Sequence, residues 1–399
     1  MLRRGFLHRL VVGRIPFLSN IALYQAMYIS RIPVNPRLPV VNDALQGPGQ
    51  SMSTKVCPSS KIPMKKWRFQ LGGSTRSDCA MMRRRRGFLE IPRCDSLHEG
   101  GDGMVGDAVI VAGGIGSRML PASAMVAKEA LPLVDVPILN HLCWEAIRAG
   151  ANRLHLVISE HKAGLELKLK PDEGGIRALQ EARPDLPERA FKAIPDGIEI
   201  LTHFQYVPLG MADAVLQALR SFDGPALVLL GDNLLMDSHP SVKNIGIENA
   251  STASLRLVEA FSRTGRPVAG LWSVAESEVG KYGVVAQDGE RITEIVEKPD
   301  EGSAPSRKVL CGRYLFSAEA KDLLENECNV EKFGELQSIA LFHHWMKHDG
   351  GFIGVDLDDC QWYDSGRPET WLQAQVDHAL RRDDISESMR EWLQDRLNQ

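Results

Sequence analysis

Residues 108 to 132 read Ala-Val-Ile-Val-Ala-Gly-Gly-Ile-Gly-Ser-Arg-Met-Leu-Pro-Ala-Ser-Ala-Met-Val-Ala-Lys-Glu-Ala-Leu-Pro. The apolar run Ala108 to Ala112 predicts a buried strand that feeds a glycine turn holding Gly113, Gly114 and Gly116. Without Cβ atoms, such a turn lets backbone N–H groups close on a phosphate chain. Arg118 just beyond it, and Lys128 further on, can hold the charge of a polyphosphate. Neither common glycine loop fits. The Gly-Lys-Ser/Thr ending of the ATPase loop is missing, and Met119 stands where a dinucleotide fingerprint needs its third glycine.

Outward from this stretch, strands are expected at 154–158, 198–204 and 226–230, with helices at 137–149 and 211–221 between them. A helix at 251–263 is followed by strands at 268–273, 282–286, 291–297 and 308–316 and helices at 317–325 and 335–347. Short strands at 352–357 and 361–363 and charged helices at 368–381 and 384–397 complete the chain. This alternation predicts an α/β fold with a mainly parallel, Rossmann-like sheet and helices on both faces. The segment from Lys162 to Pro195 reads as a surface insertion with a helical middle. In open parallel sheets ligands bind outside the carboxyl ends of the strands, where both the glycine turn and Gly231-Asp232-Asn233 fall.

Several residues at these ends could carry chemistry. An acid closing a core strand, as Asp232 does after Leu227–Leu230, is by itself more often a helix cap than a metal ligand. Asp364, in Gln361-Trp362-Tyr363-Asp364-Ser365-Gly366, is a second carboxylate in a similar setting. The second carboxylate shifts that balance toward a metal, and magnesium takes one or two carboxylates plus phosphate oxygens. Glu297-Lys298-Pro299 alone would be a surface turn. The Gln205 amide can donate to and accept from a base edge at once, and Gly210 leaves room for the base at a helix start. Asp213 reads as an acid favoured by the dipole of that helix.

The order of these motifs over about residues 107 to 383 resembles the sugar-1-phosphate nucleotidylyltransferases, whose loop has the form G-x-G-[TS]-R-x-x-P. Within them the chain is most similar to the bacterial-type UTP–glucose-1-phosphate uridylyltransferases. The resemblance implies transfer of UMP from UTP to glucose 1-phosphate, with UTP and glucose 1-phosphate as small-molecule partners and a homo-oligomeric assembly. It implies nucleotide contacts at Ala112, Gly113, Gly114, Gly116, Gln205 and Gly210, and catalytic cations at Arg118, Lys128 and Lys298. By the same resemblance Gly283, Glu297 and Gly312 meet the sugar, and Asp232 and Asp364 hold the Mg²⁺ cofactor. Three positions depart from the family pattern. Ser123-Ala124 replace Thr-Lys, Ala127 replaces a proline, and Glu335-Leu336-Gln337-Ser338-Ile339-Ala340 lacks a Thr and an Asp. Two alternatives remain open: another nucleotide pair, such as dTTP with glucose 1-phosphate, or a non-catalytic nucleotide-sugar-sensing subunit. The second would be favoured by loss of Lys128, Asp232 or Asp364, and all three are present.

Charge is spread unevenly over the 399 residues. Residues 1 to 89 hold sixteen Lys or Arg against Asp43 and Asp78 alone, so the remainder is acidic. An acidic body argues against nucleic-acid binding. Residues 1–106 are expected to be a basic extension, either disordered or a transit peptide, ahead of a domain at 107–383 and a C-terminal helix at 384–399. A cytoplasmic location is expected, or a plastid or mitochondrion if the extension is a transit peptide. Seven scattered cysteines suggest neither a disulfide framework nor a zinc site, and no apolar run is long enough to predict a membrane span.

Overall fold

In the structure, a computed structural model that describes residues 105–327, 338–348 and 350–399, the opening apolar run forms β1 (Asp107–Ala112). The basic extension up to Met104 and Glu335-Leu336-Gln337 lie outside the described residues. β1 pairs in parallel with β4 (Arg153–Ile158) on one side and β6 (Ala226–Leu230) on the other, and β5 (Glu199–Phe204) adds in parallel to β4. Side chains alternate across the sheet, so Ala108, Ile110 and Ala112 enter the core on one face and Val109 the core on the other. The helices Ile138–Arg148 and Ala253–Thr264 cover the first face; Met211–Leu219, Ala320–Asn326 and Ser338–Lys347 cover the second.

The expectation of a mainly parallel sheet holds only for this half. β11 (Lys308–Phe316) runs antiparallel to both β6 and β8 (Val268–Ser273), and β12 (Phe352–Asp356) lies parallel to β8. β10 (Arg291–Glu297) is antiparallel to β12 and to β9 (Gly283–Asp288). The order is β5-β4-β1-β6-β11-β8-β12-β10-β9, and β9 returns to β11 through Val284 and Val309. The last five strands thus close into a barrel-like ring. The reason lies in the connections. A parallel pair needs a crossover of a dozen or more residues, whereas β9 and β10 are joined by Gly289-Glu290 alone, with Gly289 at φ 58°.

Two small pairs complete the fold. β2 (Pro132–Leu133) and β3 (Val136–Pro137) make a tight hairpin, and β7 (Asn233–Met236) pairs antiparallel with β13 (Gln361–Asp364). Between the sheet and its first helical layer, Arg313 on β11 is fully buried and bidentate to Glu145 on the Ile138–Arg148 helix, at 2.7 and 2.9 Å. Arg313 also donates to the Asn233 carbonyl at 2.9 Å, which ties β11 to the start of β7. The segment 163–195 is largely exposed and carries the helices Leu165–Leu169 and Glu173–Ala182, the latter capped by Asp172, whose carboxylate accepts from the Gly175 N–H. Among the described residues no helix is long and apolar enough to cross a membrane, and Cys143, Cys311 and Cys360 are buried free thiols.

Candidate functional site

β6 ends at Leu230, and Gly231 lets the chain pass against β1. Its N–H donates to the Val111 carbonyl at 2.9 Å, and a Cβ there would sit 2.7 Å from that oxygen. The next residue, Asp232, is thereby delivered to the glycine turn. Its Oδ2 accepts from Lys128 Nζ at 2.5 Å and its Oδ1 from Asn233 Nδ2 at 3.0 Å, while Asn233 Oδ1 accepts from the Trp362 indole at 2.8 Å. Burial alone would raise the Asp232 pKa; the charge and hydrogen bond of Lys128, with Arg118 further off, override it and hold the carboxyl below its ordinary value.

Asp364 arrives from the neighbouring strand, because β13 pairs with β7 in the register Asp364 to Asn233. The Ser365 N–H and hydroxyl both donate to the Asp232 carbonyl at 2.9 Å, and the Gly366 N–H donates to Asp364 Oδ1 at 2.8 Å. A Cβ on Gly366 would lie 2.8 Å from an Arg118 guanidinium nitrogen, 2.9 Å from Asp364 Oδ1 and 3.4 Å from Asp232 Oδ2. Three charged groups therefore face one point. Two carboxylates there suit a hard divalent cation whose remaining ligands come from phosphate or water. Among the described residues no cluster of three or more such side chains forms a cage.

The glycine turn wraps this point. Gly116 is left-handed at φ 70° and its carbonyl accepts from Ser123 Oγ at 2.8 Å, while the space beside Gly114 is open. Behind the turn Lys162 Nζ donates to the Ala112 carbonyl at 2.6 Å and to both Glu129 oxygens at 2.7 and 2.8 Å. Lys162 is therefore buried, not the start of a surface insertion. Burial pushes the Glu129 carboxyl up and the Lys162 ammonium down, against the attraction between them. The Ala112 carbonyl is thus already taken by a donor inside the protein.

Gln205 keeps only the acceptor half of the double contact expected of its amide. Its amide nitrogen donates to the Gly210 carbonyl at 3.0 Å and to Asp213 Oδ2 at 2.8 Å, so both hydrogens are used and only Oε1 remains. That oxygen lies beside the turn, 2.6 Å from where a Gly113 Cβ would be. Asp213 does sit in the first turn of its helix, yet it is buried and grips Gln205 as well.

Arg118, Gly210, Asp232 and Asp364 line a cavity of about 660 Å³ together with Gly283, Glu297, Lys298 and Gly312. Gly312 has φ 78°, and a Cβ on it would press on Leu230 and Asn233 Nδ2 at 3.1–3.2 Å. Gly283 makes room for Glu297, whose Oε2 would be 2.9 Å from a Cβ there. Lys298 takes the left-handed region at φ 48°, unusual for a residue with a side chain, and its ammonium stands 3.5 Å from Glu297. Lys128 and Gln205 are bonded directly to lining residues, Lys128 to Asp232 and Gln205 to the Gly210 carbonyl. Sequence reasoning missed Lys281, Tyr282 as a side chain, and Trp362 among the lining residues. Trp362 was adjacent to the recognised Asp364, and its indole reaching Asn233 was visible only in three dimensions.

A family model described as nucleotidyl transferase matches residues 107–380. The chain belongs to this family. Among curated relatives of this nucleotidyl transferase, UTP–glucose-1-phosphate uridylyltransferase 2 of Staphylococcus saprophyticus is 29% identical over 294 residues, covering 72% of this chain and 96% of the relative. UTP–glucose-1-phosphate uridylyltransferase of Staphylococcus haemolyticus is 29% identical over 298 residues, covering 72% and 97%. Among solved structures, UDP-glucose pyrophosphorylase of Acinetobacter baumannii superposes with a TM-score of 0.62 at 25% identity, covering 73% of this chain and 99% of that one. The UTP-bound enzyme of the same organism gives 0.60 at 26% identity, with the same coverage.

Proposed function

We infer that this nucleotidyl transferase joins UMP from UTP to glucose 1-phosphate, releasing pyrophosphate and forming UDP-glucose. The observation that carries the reading is the single point faced by Arg118, Asp232 and Asp364 at the wall of a cavity that Glu297 and Lys298 also line. Two anionic substrates can meet there. A sugar-phosphate oxygen forms the new bond to the α-phosphorus, the bond from that phosphorus to the bridging oxygen breaks, and pyrophosphate leaves with the electron pair. The nucleophile is already anionic at neutral pH, so no general base is required. Positioning and charge neutralisation are the tasks left to the protein.

Arg118 and the amides of Gly113, Gly114 and Gly116 serve the leaving phosphates. Lys128, next to Asp232, supplies a further positive charge to the nucleotide phosphates. Lys298 neutralises the incoming sugar phosphate, while Glu297 and the backbone at Gly283 and Gly312 receive the sugar hydroxyls. Gln205 and Gly210 meet the base. Asp232 and Asp364 fit Mg²⁺, because both oxygens are hard donors beside the same open point at Gly366. When bound, the ion supplies charge neutralisation to phosphate oxygens. The decisive experiment measures pyrophosphate release over a matrix of nucleoside triphosphates and sugar 1-phosphates. UTP with glucose 1-phosphate is expected to give the highest kcat/KM, and a preference for dTTP, ATP or GTP would overturn the reading.

A further inference from the structure

We propose that Asp213 sets the base preference of the site by fixing which way round the Gln205 amide is held. The proposal rests on the uridylyl-transfer reading and deepens it. Gln205 is mostly buried at the end of β5, where its own N–H donates to the Ile158 carbonyl at 2.8 Å. Its Nε2 gives one hydrogen to the Gly210 carbonyl and the other to Asp213 Oδ2. A carbonyl and a carboxylate are acceptors only. Turning the amide over would set Oε1 against both of them, and neither could answer with a proton. Asp213 is itself secured, since its Oδ1 accepts from Gln217 Nε2 at 3.0 Å and its place in the first turn of Met211–Leu219 favours a negative charge.

With both donors spent, Gln205 offers a base one acceptor and nothing else. Oε1 lies beside Gly113, at the head of the phosphate turn, while Gly210 lines the cavity. An acceptor in that place needs a ring N–H opposite it. Uracil and thymine carry one at N3; cytosine carries a lone pair there, so two acceptors would oppose each other. The selection is made by the orientation of an amide, not by the size of a pocket. Asp213 touches no substrate in this account and acts as a positioning residue.

The test compares kcat/KM for UTP and for CTP in the wild-type protein and in Asp213→Asn, whose side chain can either donate or accept. The wild-type ratio is expected to favour UTP strongly, and the substitution to reduce that ratio about ten-fold, with CTP gaining as UTP loses. A folded variant with an unchanged ratio overturns the proposal. A second measurement needs no variant: 3-methyl-UTP, which lacks the N3–H, is expected to bind the wild-type enzyme at least about ten-fold more weakly than UTP. Equal binding overturns the proposal even if Asp213→Asn does not fold. Preference for dTTP over UTP would defeat the uridylyl reading and leave the amide orientation standing, because thymine keeps the N3–H. Equal use of CTP and UTP would defeat the orientation and leave nucleotidyl transfer standing.

Discussion

Each oxygen of Asp232 already has a donor, Lys128 on one and Asn233 on the other. The carboxylate is therefore held in place and charged before any substrate arrives. Replacing it by Asn keeps the shape but removes the charge that both Lys128 and a divalent cation require. Asp232→Asn and Asp364→Asn are each expected to lower the rate of pyrophosphate release by at least about 100-fold, with the circular dichroism spectrum unchanged. Near-normal turnover in either variant would remove it from the site. These two acids stood out in the sequence, Asp232 after an apolar strand run and a glycine, Asp364 between two aromatics and a glycine turn. Lys162 and Asp213 did not. A lysine at the edge of a charged insertion and an acid in a first helical turn both have ordinary surface explanations. Only the fold brings Glu129 behind one and Gln205 beside the other.

At the scale of elements, strand and helix positions followed from apolar periodicity to within a few residues, and strand direction did not. Direction depends on whether a crossover helix intervenes, and no α-helix separates β8, β9, β10 and β11 along the chain. The β2–β3 hairpin escaped notice for a related reason, since its turn residues Val134 and Asp135 are not those a tight turn demands. Val134 is left-handed at φ 60°, a costly conformation for a β-branched residue. The turn is held from outside: the Val134 N–H donates to Gln375 at 2.6 Å, and Arg382 pairs with Asp135 at 2.5 Å. Val134→Asn tolerates the same backbone better and is expected to raise unfolding free energy by about 1 kcal/mol. The denaturant midpoint would report it, and a drop in that midpoint would show that the valine side chain contributes more by packing than the turn loses by strain.

Across the whole molecule, acid is expected to weaken the fold through buried histidines. His141 and His378 lie close to each other, to His239 and to Arg382, and burial with these neighbours pushes both down to about 3. Both rings are therefore neutral in the fold, whereas in the unfolded chain they take up protons as pH falls below about 6.5. Their contribution is complete above that value and is lost as pH drops toward 3. The slope is about 1.4 kcal/mol per pH unit for each ring. Denaturant unfolding at pH 7.5 and pH 5 measures it; equal stability at the two would refute the account, and His378→Gln is expected to flatten the dependence. The closed ring of the second half has a different consequence. A sheet has two free margins at which a strand from another molecule can add, the first step of edge-to-edge aggregation. Here β9 is bonded back to β11 through Val284 and Val309, so among the described strands the nine-stranded sheet has its one free margin at β5. Strand addition to this sheet is, among the described residues, confined to Glu199–Phe204, where Glu199 places an exposed charge at the start of the strand.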